Sequence, residues 1–307
     1  MSAVHFTDVE PCDSGLFRKA CYTCPILGDR DPLLLDRQIQ QKGIGSGDPM
    51  RAVAVFSEDA SREPTASDAP TRCWEASEGM PVLKEFELQL TVDQVLRAQG
   101  ADPAAIRSRN QRLVEVAGQA LDEGLPLLQP RVLYRELDVR ALRHERLYLS
   151  DGTHLEGGLV VQHLAPARQV VAILCTVGDT LERYASEVMA SAMVKALALE
   201  GVGSAAVEAL ANRVCSDLEK GAASRGLQCT VPLSPGMVDW SVEEGQPQIF
   251  RLLDPTQVGV FLTASYVMIP RKSLTMLLGI GPEVLKQGST CDYCSMRETC
   301  HYRERHG

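Results

Sequence analysis

Long apolar runs are missing from this 307-residue chain, and none approaches the length that a bilayer crossing needs, so no membrane partner is expected. Clustered Lys and Arg are missing as well. With a net charge of −9 and no basic run, the chain lacks what a phosphate backbone requires, and nucleic acid is not an expected partner. The opening MSAVHFTDVEPCDSG has no basic stretch followed by an apolar block, so no secretory leader is expected and a cytoplasmic location is. The six histidines are scattered without a His-x-x-x-His pair, which argues against a histidine metal site. The Cys-x-x-x-Cys-x-x-Cys spacing of radical enzymes does not occur, and no internal repeat is visible. At 45% hydrophobic and 23% charged residues the composition is that of a globular protein, with length for two domains or for one large domain and an appendage.

Cysteine is what the chain has in quantity. Ten thiols in a reducing compartment point to metal ligation or redox work rather than to a disulfide framework. Six of the ten fall in two short polar segments: Cys12, Cys21 and Cys24 near the start, and Cys291, Cys294 and Cys300 in CDYCSMRETC near the end. A two-residue spacer lets two sulfurs face one metal, while local amides stabilise the thiolate charge. That spacing suits structural zinc and iron-sulfur clusters alike and does not separate them. Each set offers three ligands where a site usually takes four, so Cys73, Cys229, His301 or a thiol from the other end is needed to complete it. Cys175 in VVAILCTVG and Cys215 in a long helical pattern read as buried small residues.

Residues 1–80 are rich in Asp, Ser, Gly and Pro, and only RAVAVF reads as a strand, so a largely irregular segment is expected there. From Val82 the texture changes. VLKEFELQL alternates as a strand does, TVDQVLRAQG is helical, and 101–124 reads as one helix with Asp102 capping and Pro103 in its first turn. RVLYRELDV, ERLYLSDGTHLEG and GLVVQHL read as strands, with a turn at Ser150-Asp151-Gly152. VVAILCTVG is a buried strand by its unbroken apolar run, and Asp179 opens one long helical pattern over 180–223. The small residues Gly201, Gly203, Ser204, Ala205 and Ala206 midway along it suggest close packing. VPLSPGMVDW is a loop, and VGVFLTASYVMIP and SLTMLLGIG read as two buried strands joined at Pro270-Arg271-Lys272. For Arg271 and Lys272 the expectation is a solvent-exposed turn, or a docking point for a partner. Residues 286–307 form a cysteine-rich tail.

The order of segments is informative in itself. VLRAQGADPAAIRSRNQRLVEVAGQAL, PRVLYREL, ILCTVGDTLER, LALEGVGSAAVEAL, PLSPGMVDWS and VGVFLTASYVMIPRKSLTMLLGIG together resemble the activation domain of cobalamin-dependent methionine synthase, over about residues 82–285. The likeness is to its stand-alone bacterial relatives in particular, several of which end in a short cysteine-rich tail. The resemblance implies an α+β fold, a curved antiparallel sheet with long helices, here extended by cysteine-rich metal-binding segments at both ends. It implies S-adenosylmethionine as ligand and a corrinoid protein, or cobalamin-dependent methyltransferase, as partner. On that partner one electron takes Co(II) to Co(I). Carried over motif by motif, the resemblance implies cofactor contacts at Glu208 of GSAAVE, at Gly236 and Met237 of SPGM, and at Asp239; Glu200 keeps an acid where Asp is usual.

The chain also departs from the pattern. Where relatives read Arg-x-x-Pro-Gly-Tyr, PLSPGM places Pro232 at the Arg and Met237 at the Tyr; where relatives read Leu-Thr-Glu-Ser, this chain has Leu262, Thr263, Ala264 and Ser265. Losing a guanidinium and a carboxylate removes charged hydrogen bonds, so the S-adenosylmethionine site is expected to be degenerate. Met237 is expected to pack rather than to approach cobalt, and Trp240 to pack beside the loop. The function expected is redox activation of a corrinoid protein, with the electron passing from an iron-sulfur cluster, of 4Fe-4S type, held by Cys12, Cys21, Cys24, Cys291, Cys294 and Cys300. The alternatives are a zinc-stabilised, non-catalytic adaptor for a corrinoid methyltransferase, and a reductive methylation partner that still uses S-adenosylmethionine. An electron-donor protein is a further expected partner of the activator.

Overall fold

The structure, a computed structural model, describes residues 80–286 and 288–298. RAVAVF, Cys12, Cys21, Cys24, Cys73, Cys300 and His301 lie outside the described residues. The elements in chain order are β1 (Val82–Leu83), α1 (Val92–Ala98), α2 (Pro103–Arg109), α3 (Gln111–Gly124), β2 (Arg131–Arg143), β3 (Arg146–Leu149), β4 (His154–Glu156), α4 (Gly158–Leu164) and β5 (Gln169–Thr176). They continue with α5 (Thr180–Met189), α6 (Met193–Ala223), β6 (Gln228–Cys229), α7 (Val242–Leu252), β7 (Phe261–Leu262), β8 (Met268–Ile269) and β9 (Ser273–Gly281). The fold is α+β, built on a curled, seven-stranded sheet of order β4-β3-β2-β5-β9-β6, with β1 also on β2, and every pairing is antiparallel.

The sheet's centre follows from its composition. β5 and β9 are near-continuous apolar runs because both of their faces are covered, and they pair over their full length from Gln169↔Ile280 to Thr176↔Ser273. Leu133, Leu137, Val170, Ala172, Leu174 and Leu277 face one core, shared with α4, α7 and the loop over 231–240. Ile173, Cys175 and Met276 alternate to the other face, where the Cys215 thiol of α6 meets the Met276 sulfur at 3.4 Å. β2 spans 13 residues and serves two neighbours: it pairs with β5 through Asp138, then turns to β3 past a register shift between Val139 and Ala141. His144 and Glu145 close that hairpin, both with positive φ, as a two-residue turn matched to strand twist demands.

A helical layer forms the second core, with Val95, Leu96, Val114, Leu121, Leu181, Leu199 and Val202 buried between α1, α3, α5 and α6. Thr91 and Gln94 make a capping box on α1, and Asp102 accepts from the amides of Ala104 and Ala105 at the start of α2. The 31-residue α6 carries small residues where neighbours come close. A Cβ on Gly201 would lie 2.8 Å from Gln99 and one on Gly203 would lie 3.0 Å from Lys272, so the packing reading of this cluster holds.

Five expectations are corrected. Beyond Val82–Leu83 the VLKEFELQL stretch leaves the sheet, because Leu90 and Val92 pack on the helical core instead. The helix over 101–124 breaks at Asn110, whose extended backbone and side chain cap a new helix at Leu113. GLVVQHL is the helix α4, with Val160, Val161 and Leu164 buried at helical spacing. The 180–223 pattern is two helices, α5 and α6. VGVFLTASYVMIP is no buried strand: it makes the short β7–β8 hairpin, and Phe261 is 57% exposed. α7 is the one helix the sequence reading did not place.

Glu136 is a local fault in this fold. One of its carboxylate oxygens is buried without a hydrogen-bond partner, and burial raises its acidity constant above the ordinary value, against the attraction of Arg225. Between the unfolded value and the raised native one, the native state holds a proton that the unfolded chain has lost. Stability therefore falls as pH rises through that window, and the cost is complete above it. Glu136→Gln is expected to stabilise the protein at pH 7 by roughly 0.5 kcal/mol, a small figure because solvent screens a half-exposed group. Urea denaturation at pH 4 and pH 7 should show the gain at the higher pH only.

Candidate functional site

The loop over 231–240 is where the expected cofactor residues meet. It leaves β6, pairs Leu233 with Leu277 of the central strand β9, and turns back on itself so that the Gly236 amide donates to the Trp240 carbonyl at 2.8 Å. Gly236 takes a φ of 96°, open to glycine and costly for other residues. Asp239 also has positive φ, at 54°, and is exposed. Met237 is 3% exposed within the sheet core, and its sulfur accepts from the Ser234 amide at 3.4 Å, so it packs as expected. Pro232 is half-buried, while Ala264 and Ser265 stand exposed at the tip of the β7–β8 hairpin.

Trp240 anchors the loop. It is 1% exposed and clamped between two glycines: a Cβ on Gly157 would lie 2.8 Å from its ring, and one on Gly245 would lie 2.8 Å from both Trp240 and Pro235. Gly245 belongs to α7, whose start is fixed by a capping box between Ser241 and Glu244. The Trp240 indole N–H has no hydrogen-bond partner.

The tail lies on this loop. Ser289 and Asp292 cap a short 3₁₀ turn over Thr290–Tyr293, from which Cys294 emerges, with its amide 3.4 Å from the Cys291 carbonyl. In such a turn, residues three apart sit one above the other, which places Cys291 and Cys294 on one side. Cys294 pairs antiparallel with Met237, the Val238 amide donates to the Tyr293 carbonyl at 2.9 Å, and the Ser295 hydroxyl donates to the Gly236 carbonyl at 2.6 Å. The Tyr293 ring meets His163 of α4 edge to face at 4.6 Å, and burial lowers the acidity constant of His163. Cys291 is exposed and Cys294 half-buried.

The other thiols are structural. Cys175, Cys215 and Cys229 are buried, and desolvation pushes Cys215 up to about 12 and Cys229 to about 11, so they stay protonated. Cys229 is therefore a poor fourth ligand. Among the described residues, no group of three or more His, Cys, Asp or Glu could hold a metal ion. Cys12, Cys21, Cys24 and Cys300 lie outside the described residues.

A charged network occupies the β8–β9 corner, and this corrects the expectation of a solvent-exposed turn. Lys272 is 5% exposed, and its ammonium lies 2.7 Å from Glu200 and 3.0 Å from Ser204 of α6. Arg271 bridges Glu182 of α5 and Glu200, and the charge of these carboxylates outweighs burial to raise its acidity constant. Glu200, the acid kept from the family pattern, is thus committed to this network. Glu208 is exposed, one helical turn past Ser204 on α6. Two open depressions, of about 480 and 530 Å³, lie in the helical layer and include none of the expected site residues.

No family model matches the chain, and no curated protein does. Among solved structures, the chain is similar to the crystal structure of the MetH reactivation domain bound to AdoHcy. The TM-score is 0.52 and the sequences are 13% identical, over 70% of this chain and 83% of that one. The similarity places the chain in the class of reactivation-domain-like folds.

Gly236, Met237 and Asp239 fall in one loop, and Cys294 is brought to it by the tail. The spacing of the cysteines gave no sign that Tyr293, Ser295 and His163 seat the tail there. Gly245→Ala is expected to destabilise the protein by about 2 kcal/mol, since the added methyl must displace Pro235 or Trp240 in a packed core. Denaturant titration followed by tryptophan fluorescence would measure it, and an unchanged midpoint would contradict the clamp.

Proposed function

We propose that this protein is a redox activator of a corrinoid protein: its body over 81–285 docks the partner, and its cysteine-bearing ends deliver one electron to Co(II). The contact that carries this reading is the antiparallel seating of Cys294 on Met237, which puts a Cys-x-x-Cys turn against the loop that resembles the family's donor loop. The reactivation-domain-like fold supports the docking half of the proposal. Two thiols on one side of a 3₁₀ turn fit one edge of an iron-sulfur cluster, and Cys300, Cys12, Cys21 and Cys24 are the candidates for the rest. Bound there, a 4Fe-4S cluster would supply single-electron chemistry, with potentials in such centres reaching about −700 mV; zinc cannot change valence.

The chain's own groups have distinct tasks in this scheme. Cys291 and Cys294 ligate as thiolates, Ser289 and Asp292 hold the turn that presents them, and Met237 excludes water from the loop side. The electron lost at the chain's cysteine-bound centre is gained by the partner's cobalt, and a low-potential electron-donor protein restores it. The methyl donor of the family is not part of the scheme, because Pro232 and Ala264 leave the loop and the hairpin without the charges that would hold it. The neighbour binds AdoHcy. A dissociation constant tighter than about 100 μM for S-adenosylmethionine would favour reductive methylation instead.

Protein purified without oxygen is expected to be coloured and to contain iron and acid-labile sulfide. Cys291→Ser and Cys294→Ser should each lose most of both. With a low-potential reductant, the wild type should convert a Co(II) corrinoid protein to the Co(I) spectrum and the variants should not. Colourless protein holding zinc and no iron would sink the electron-transfer reading in favour of the adaptor.

A further inference from the structure

The tail does more than bring thiols near the loop: it covers it. Tyr293–Ser295 lies as an added strand along Gly236–Val238, taking up the Val238 amide and the Gly236 carbonyl, the polar groups that the loop would otherwise turn outward. Little holds it there. Its attachments are those two hydrogen bonds, the Tyr293–His163 ring contact and the packing of Tyr293 on the sheet core, while Cys291 and Met296 stay exposed. Elements with so few buried contacts open at far lower free energy than the core around them. The surface beneath is apolar and partly uncovered, with Val238 44% and Val242 37% exposed, and Met296 of the tail at 47% beside them in the chain order of the strap.

We propose that Tyr293–Ser295 is an autoinhibitory strap, closed over the 236–238 loop in the resting protein, which must peel away before a flat, macrocycle-sized ligand can contact Met237. This rests on the reading of the loop as a corrinoid-docking face. The two hydrogen bonds and the aromatic contact act as the latch, so removing the Ser295 hydroxyl and the Tyr293 ring should open it without disturbing the sheet. Because Cys294 sits inside the strap, opening would also carry that thiol away from Met237.

The test uses the full chain and the double variant Tyr293→Ala, Ser295→Ala. Hydrogen exchange at the Val238 amide and the rate of Met237 oxidation by dilute hydrogen peroxide report opening, and the amides of Ile173 and Leu277 report global stability. The proposal expects both loop signals to rise at least fivefold in the variant with the core amides unchanged. Unchanged loop signals would overturn it, as would core amides that accelerate in step, since the tail would then be an inseparable part of the core. Hydroxocobalamin, titrated by its visible spectrum, separates this from the docking reading. Tighter binding by the variant supports the strap, and equal binding by both chains counts against it. Binding by neither counts against the corrinoid reading, while the exchange and oxidation rates still decide whether the strap opens.

Discussion

The arrangement depends on how closely α6 can approach its neighbours. Gly201 lets the helix lie against α1, and Gly203 leaves a channel along which the Lys272 stem runs to reach Glu200 and Ser204. A charge as buried as Lys272 is tolerated only with a partner in place, and truncating one side of such a pair is costly. The pair thus fixes the register between the long helix and the start of β9. From that point β9 sets β5 on one side and the 231–240 loop on the other, through Leu233↔Leu277. The position of the loop is therefore inherited from a salt bridge at the far end of the strand.

Parts of this were legible because the local signal and the tertiary environment agreed. β5 and β9 are buried on both faces, so an unbroken apolar run is both their propensity and their environment. Asp102 and Asp179 marked helix starts for the same reason. GLVVQHL misled because seven residues hold too few periods to separate a 2.0 from a 3.6 repeat, and adjacent Val160 and Val161 fit either. α7 escaped notice although Ser241-x-x-Glu244 is a capping box, because Gly245 and Pro247 inside it look like loop residues. Gly245 is there for Trp240, a contact across the core that no local pattern encodes.

The site divides in the same way. Its residue types were readable, because Cys-x-x-Cys and Pro-Gly carry their chemistry in sequence. Their meeting was not. The chain returns to the loop from more than fifty residues away, and what guides it is a tyrosine edge on a half-buried histidine and one serine hydroxyl. Such contacts are individually weak and have no spacing rule. Arg271 and Lys272 show the converse, since two cations after a proline look like a solvated turn until the acids of α5 and α6 are seen around them.

The departures from the family pattern acquire a physical meaning in this setting. A donor loop that must hold a charged ligand keeps polar groups unsatisfied until the ligand arrives. Here each such group examined in turn already has an internal partner. The Ser234 amide is met by the Met237 sulfur, the Gly236 carbonyl by Ser295, the Gly236 amide by Trp240 and the Val238 amide by Tyr293. Met237, placed where the family has Tyr, gives up an outward hydroxyl for burial in the sheet core. A small polar donor would have to replace several hydrogen bonds with its own and would find no guanidinium to help it. A large flat partner needs only to displace the strap and would recover apolar contact over Met237 and Val238. The substitutions thus move the loop's chemistry from charge recognition toward surface contact, and they leave electron delivery, rather than methyl transfer, as the task to which the remaining cysteines are suited.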